Sequence, residues 1–374
     1  MVGLAEIVRG EGPQYLKTHF TTPEQRKAIH DIACCKTAEM GTVKERCDRC
    51  QIDYWLYCSC RNRHCPLCGG ERRRKWVDVR RQEILPVPYL QVVFTVPAAL
   101  NVLAWYCPRQ LYDIVIHAAG QAVTEVGWSE LNAQLGCQTH LQTWTQSMAF
   151  DLHTHGVVPC GGLSEDGKRW VSLEPDHFPV KTLSNRFRSI VCEAVRAAAE
   201  QGDLDRLPDS VSVERLLWRV SRRQWKIYAE PPFQGPERLL AYLSRVAITN
   251  DRIESYENGQ VTFRGRDSQL YTLDAQEFLR RLLMHIVPKR FVRVRSYGFL
   301  ANRNHRKNLQ QVRQLIGQTR YAEPSSEPLR ARRLCPPCFE VVGSGPMPPY
   351  APSPKAASQL AFPLRAPPIP SVAA

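Results

Sequence analysis

No run of this chain is apolar for long enough to cross a membrane, which takes about 20 such residues. The first dozen residues hold Glu6 and Glu11 but no signal-peptide core. These absences set aside the membrane-embedded and exported classes, and the expected compartment is the cytoplasm, in association with the nucleoid. Repeats and heptads are missing as well, which sets aside solenoids and coiled coils. Carboxylates are scarce: 36 Asp and Glu stand against 50 Lys and Arg, a net charge of +14. That imbalance favours a polyanionic partner, and nucleic acid is the commonest one. Hydrophobic side chains make up 43% of the 374 residues. This excludes disorder throughout and gives room for one large domain and one small one.

Cysteine is plentiful and crowded. Eight of the 14 fall between Cys34 and Cys68, in CxxC and CxC spacings rather than spread as a disulfide framework would be. In a reducing compartment such crowding reads as metal ligation, with buried free thiols as the plainer alternative. Cys47-x-x-Cys50 and Cys65-x-x-Cys68 are two knuckles, and two such pairs complete a closed zinc site. Cys34, Cys35, Cys58, Cys60 and His64 remain, enough for a second ion. Spacing leaves open which ligands share which ion; the candidate set is Cys35, Cys47, Cys50, Cys60, His64, Cys65 and Cys68. Lys44, Arg46, Arg49, Arg61 and Arg63 are interleaved with them, a decoration suited to nucleic acid.

The composition divides the chain into three. Residues 1–88 hold the cysteines and a basic helix that includes Arg72, Arg73 and Arg74. Residues 89–320 mix strands and helices, which makes the chain α+β. Strands are expected at 90–96, 141–149, 152–158 and 225–229, and helices over most of 98–135, at 183–200 and around 237–244. Asn258-Gly259 predicts a hairpin between strands at 246–256 and 260–263. Asp274 and Glu277 predict a capping box opening a helix that Pro288 closes. Residues 321–374, rich in Pro, Ser and Ala, read as disordered; Cys335-Pro-Pro-Cys338 there is a lone CxxC. Lys289, Arg290, Arg293 and Arg295 surround Phe291, Val292 and Val294. Alternation puts Lys289, Phe291, Arg293 and Arg295 on one strand face, either a single-strand-binding surface or a solvated edge.

His153-Thr154-His155 lies in an expected strand. Side chains at i and i+2 share a face, so both imidazoles can meet one metal ion. Alone, such a pair is an ordinary core or surface feature. Its context is not ordinary: Leu141–Ser147 precedes it and Gly161-Gly162-Leu163 follows. Further runs are Ser59–Pro66, Leu85–Tyr89, Val93–Pro97, Pro231–Phe233, Gly235–Glu237, Tyr242-Leu243, Val246–Ile248, Glu277–Arg281 and Ser296–Asn302. In this order they resemble rolling-circle transposases of the insertion sequence 91 family, within the HUH endonucleases.

The resemblance implies an HUH-type antiparallel sheet flanked by helices, preceded by a small zinc-binding domain. It implies a transposase that nicks and rejoins single-stranded DNA at insertion-element ends through a 5′-phosphotyrosine. Tyr242 takes the nucleophile's place, and His153 and His155 hold Mg²⁺ or Mn²⁺ beside structural Zn²⁺. A third ligand is usual, and Gln146 is the candidate. Asp151 stands where relatives carry another histidine. Relatives also read Tyr-Leu-x-Arg-Tyr-x-His-Arg-Val-Ala-Ile, whereas Ser244-Arg245 here runs straight into Val246-Ala247-Ile248. Four residues and one tyrosine are missing, about one helical turn and roughly 6 Å of rise. A remnant that only binds DNA is therefore one alternative. A replication initiator or relaxase is another, although the cysteine-rich head argues against it.

Overall fold

The computed structural model describes residues 2–317, apart from 48, 232–234, 245 and 266–267. The expected disordered tail and Cys335-x-x-Cys338 lie outside the described residues.

Helices α1 (Leu4–Thr18) and α2 (Pro23–Cys34) come first, followed by a ribbon of β1 (Thr42–Arg46) and β2 (Asp53–Tyr57). The basic helix α3 (Pro66–Arg81) leads into β3 (Tyr89–Thr95), α4 (Asn101–Tyr106) and α5 (Pro108–Leu131). A long hairpin of β4 (Gln134–Trp144) and β5 (Phe150–Pro159) precedes the short strands β6 (Gly161–Leu163) and β7 (Trp170–Ser172). Then come α6 (Val180–Glu200), α7 (Val213–Ser221), β8 (Ile227–Glu230) and α8 (Pro236–Leu243). Strands β9 (Ile253–Glu257), β10 (Gln260–Arg264) and β11 (Leu270–Asp274) form a separate three-stranded sheet, after which α9 (Ala275–Met284), β12 (Val294–Gly298) and α10 (His305–Leu315) follow.

The main sheet runs β7-β6-β4-β5-β3-β8, with β12 also on β4, and its pairs are antiparallel. It is α+β, with β5 at its centre. Alternation along the strands gives the sheet two unlike faces. Leu90, Val92, Phe94, Leu141, Leu152 and Val158 join Val115, Val123, Phe187 and Val191 of α5 and α6 in one apolar core. Across the sheet, α3 and α8 pack together, and Leu239, Leu240 and Leu243 of α8 close over Tyr89 and Val157.

The first 88 residues do not have a core to themselves. Leu4, Ile7 and Val8 of α1 and Ile29 and Ile32 of α2 pack with Ile253, Val261, Phe263, Phe278 and Leu282. Tyr256 donates to Glu11 (2.6 Å) and Gln25 to the Leu283 carbonyl (2.9 Å) across the same joint.

Several local expectations hold. Asn258 and Gly259 take positive φ (52° and 72°), as a tight hairpin turn requires. Asp274 caps α9 through the backbone N–H groups of Gln276 and Glu277. Glu277, however, does not reach back to complete a box: it accepts hydrogen bonds from Arg280 and Arg281. The basic strand over 289–295 is not formed. Pro288 and a left-handed Arg290 (φ 62°) turn the chain, and pairing begins only at Val294. Phe291 drops into the sheet core against Tyr112. Arg295 pairs with Asp113 of α5, and the Tyr297 ring lies on Gly120 of that helix, where any Cβ would stand 2.1 Å from the ring. Phe291, Arg295 and Tyr297 therefore pack against the sheet and α5, while Lys289 and Arg290 stay exposed.

Candidate functional site

Three features converge on the sheet face opposite α5 and α6. The first is the histidine pair. His153 and His155 project from the central strand with ring centroids 4.9 Å apart. His153 Nδ1 lies 2.9 Å from the Asp151 carbonyl and 3.4 Å from its carboxylate. The Gln91 amide lies 3.1 Å from His155 Nδ1. The Asp151 carbonyl accepts from His153 Nδ1 and leaves Nε2 of that ring for an ion, whereas His155 can offer Nε2 only with the Gln91 amide turned so that its oxygen accepts from Nδ1. Hydrogen bonding to His153 holds the Asp151 carboxyl below its usual range.

Register identifies what else shares this face. On β4, Gln142 is directly opposite His153 and His140 opposite His155. Both are buried, and Gln142 Nε2 and His140 Nδ1 have no hydrogen-bond partner. Gln146, expected on the strand leading to the pair, lies beyond the end of β4 in the hairpin loop, where its carbonyl accepts from Arg252. A bulge between Gln142 and Trp144 shifts the register there. Two imidazoles and an amide oxygen are a borderline donor set, which suits Mn²⁺ better than Mg²⁺.

The second feature is the cysteine group. The Sγ atoms of Cys35, Cys60, Cys65 and Cys68 all lie within 4.8 Å of one another, with Cys60 and Cys68 at 3.6 Å. Thiolates about 2.3 Å from a tetrahedral zinc stand about 3.8 Å apart, so the four fit one ion. Hydrogen bonding from Cys60 lowers the Cys65 thiol from its ordinary value. Spacing alone had offered the two knuckles as partners, but Cys47 and Cys50 pair with each other (3.7 Å) at the tip of the β1–β2 ribbon and stand outside this group. His64 is also outside it. Burial, with Arg293, Arg63 and His285 around it, pushes the His64 imidazole down to about 3.

The third feature is a cleft of about 210 Å³. Arg61, Arg63, Arg72 and Arg73 line its head side, His140 and Arg293 its sheet side, and Leu243 and Ser244 the end of α8. Arg74 is exposed outside it, as are Lys289 and Arg290. Arg293, expected on an open DNA-binding face, is half-buried over the Trp144 ring and donates to the Leu141 carbonyl. The Tyr242 backbone lies in the last turn of α8; its side chain is outside the described part of the structure. His140 and Gln142 were legible only through register, which places them opposite residues the sequence had already singled out.

Residues 7–96 match the family model described as "Transposase zinc-binding domain", of the insertion sequence 91 type. Residues 136–308 match a second, Y2_Tnp, described as "Putative transposase". The chain is 34% identical over 372 residues to "Putative transposase y4qJ" of Sinorhizobium fredii, covering 90% of this chain and 93% of that one. It belongs to the insertion sequence 91 family of transposases. The transposase for insertion sequence element IS801 of Pseudomonas savastanoi pv. phaseolicola is 25% identical, over 74% of this chain and 70% of that protein. Among solved structures, the conjugative relaxase TrwC in complex with oriT DNA overlaps 42% of this chain and 71% of its own, at 12% identity and a TM-score of 0.25. An overlap that loose decides nothing about this transposase. The head is thus a zinc-binding domain, and a DNA-acting transposase accounts for the basic charge.

Proposed function

We propose that this transposase nicks and rejoins one DNA strand at the ends of its element, in rolling-circle transposition. The Tyr242 phenol oxygen attacks the scissile phosphorus, the P–O3′ bond breaks, and the 3′ oxygen leaves as a hydroxyl. The 5′ phosphate stays on the tyrosine, so the bond energy is kept for the reverse reaction with a new 3′ hydroxyl. His153, His155 and Gln142 would hold Mg²⁺ or Mn²⁺, which when bound polarises the phosphoryl oxygen. Gln142 takes the place first given to Gln146. Asp151 and Gln91 orient the two imidazoles, and the arginines of the head hold the strand's phosphates. Cys35, Cys60, Cys65 and Cys68 hold the structural zinc.

One observation carries this reading: α8, the helix of Tyr242, is packed through Leu239, Leu240 and Leu243 onto the face that bears the histidine pair. The single tyrosine and the missing turn imply slower strand transfer than in relatives with two. The test is cleavage of a labelled single-stranded end oligonucleotide, with and without Mn²⁺. Metal-dependent nicking should vanish in Tyr242→Phe and in His153→Ala/His155→Ala, and the covalent adduct should map to Tyr242. Tyr228 is on β8 opposite Val93, and Val93 is opposite His155; an adduct there would move the nucleophile. Absence of any adduct would leave a protein that only binds element ends.

A further inference from the structure

The cleft beside the histidine pair has more apolar wall than phosphate binding needs. Trp76 of α3, Leu243 at the end of α8 and Val294 of β12 line it together with Arg61 and Arg72. His140 forms part of its sheet side and packs edge-on against Trp76, with centroids 5.7 Å apart. His140 is 1% exposed, donates from Nε2 to the Gln138 side-chain oxygen (3.0 Å) and keeps a bare, buried Nδ1 lone pair. Buried polar atoms of this kind are costly unless something meets them. At about 210 Å³ the space is below the roughly 300–1,000 Å³ of drug-sized pockets and suits a single flat ring.

We infer that this cleft is a base subsite: one unpaired nucleobase of the bound strand leaves its stack, lies between Trp76 and Leu243, and gives an N–H to His140 Nδ1. Arg61 and Arg72 hold the phosphates on either side. Such a subsite pairs a sequence-tolerant aromatic wall with one acceptor that selects bases carrying a suitably placed donor. It also makes the zinc-binding head part of the substrate site, because Cys68, Arg72 and Trp76 belong to one wall. The inference rests on the single-strand reading above.

Two probes test it on the full zinc-loaded chain: a twelve-nucleotide oligothymidylate and a twelve-unit abasic phosphodiester of the same charge. Trp76→Ala should weaken the oligothymidylate by about 5- to 100-fold and leave the abasic strand unchanged. Val294→Phe, which narrows the cleft without deleting a wall, should do the same should Trp76→Ala fail to fold. A 5-iodouracil-substituted oligothymidylate should photocrosslink to Trp76 or His140. Equal loss of both probes in the variants would make Trp76 a structural residue only and overturn the subsite. So would crosslinks confined to Trp55, Tyr57 or Trp218. A wild type that binds neither probe overturns the function reading and the subsite together. Metal-dependent nicking combined with equal affinity for both probes removes the subsite alone.

Discussion

The chain builds two cores by different means. The sheet core is continuous in sequence from Leu90 to Trp225 apart from a few residues, and it is apolar throughout. The second core is assembled from stretches far apart in the chain. Residues 4–35 meet residues 248–283, and Cys35 and Cys65 of the four-sulfur group are buried within it. A core of the first kind needs only its own helices and strands. The second closes across more than 200 residues of sequence, where loop-closure entropy opposes it; the four cysteines all lie between residues 35 and 68, so an ion held by them would tie the head together and steady α1 and α2 for that closure. The zinc head is therefore part of the fold's closure rather than an appendage on a linker.

Removing the metal is the harshest way to break this contrast. Thiolate–zinc binding contributes on the order of 10 kcal/mol to small zinc domains, as much as a whole domain's stability. In Cys65→Ser, or after chelation, α1, α2 and α9 should lose amide-exchange protection while β3, β4 and β5 keep theirs. Uniform loss would show that the two cores stand or fall together, and no loss that the second core does not depend on the metal.

Next in size are matched cavities. Phe94 and Phe263 are both fully buried, one in each core. Phe→Ala at either should cost about 3–5 kcal/mol. Only Phe263→Ala should also speed zinc loss to a competing chelator, because its core is the one that carries Cys35 and Cys65. Equal zinc release from both variants would dissolve the distinction. Smaller still is Asp274→Ala, which removes the cap of α9 and should cost about 0.5–2 kcal/mol by denaturant melt, again without touching the sheet core.

The contrast also explains what could be read beforehand. The sheet core was legible because its strands and helices are local. Expected elements near 90–96, 152–158 and 183–200 match β3, β5 and α6 within a few residues. His153 and His155 were legible for the same reason, since two residues of one strand need no partner to share a face. Gln142 and His140 needed the register of a hairpin whose bulge no propensity reveals. Cys35 joins Cys60, Cys65 and Cys68 from the end of a helix some 25 residues upstream, a grouping that spacing left open. The run 289–295 alternates as a strand does, but a positive φ at Arg290, burial of Phe291 and the packing of Arg293 over Trp144 override the pattern. Tertiary packing, not local preference, decided each of these.

The finest probe of the second core is the acid titration of Glu277. Its carboxylate accepts from Arg280 Nε (2.6 Å) and Nη2 (2.9 Å) and from Arg281 Nε (2.7 Å). Those hydrogen bonds, from Arg280 first, hold it at about 2 against an ordinary 4.5. A carboxyl whose folded pKa is depressed stabilises the fold above its unfolded pKa. That contribution is lost as pH falls through the interval between the two values, because the unfolded chain takes up the proton first. Here the interval runs from about 4.5 down to about 2. The side chain is about one-third exposed (32%), so screening limits the contribution to about 0.5–1 kcal/mol. Zinc thiolates also protonate in acid, so the informative quantity is the difference between wild type and Glu277→Gln, in which that common loss cancels. The difference should be constant from pH 7 to 5.5, shrink below about 4.5 and approach zero only at about pH 2. A difference that stays level down to pH 3 would mean that the two arginines do not hold Glu277 in the folded chain. The acid sensitivity of this core would then belong to the thiolates alone.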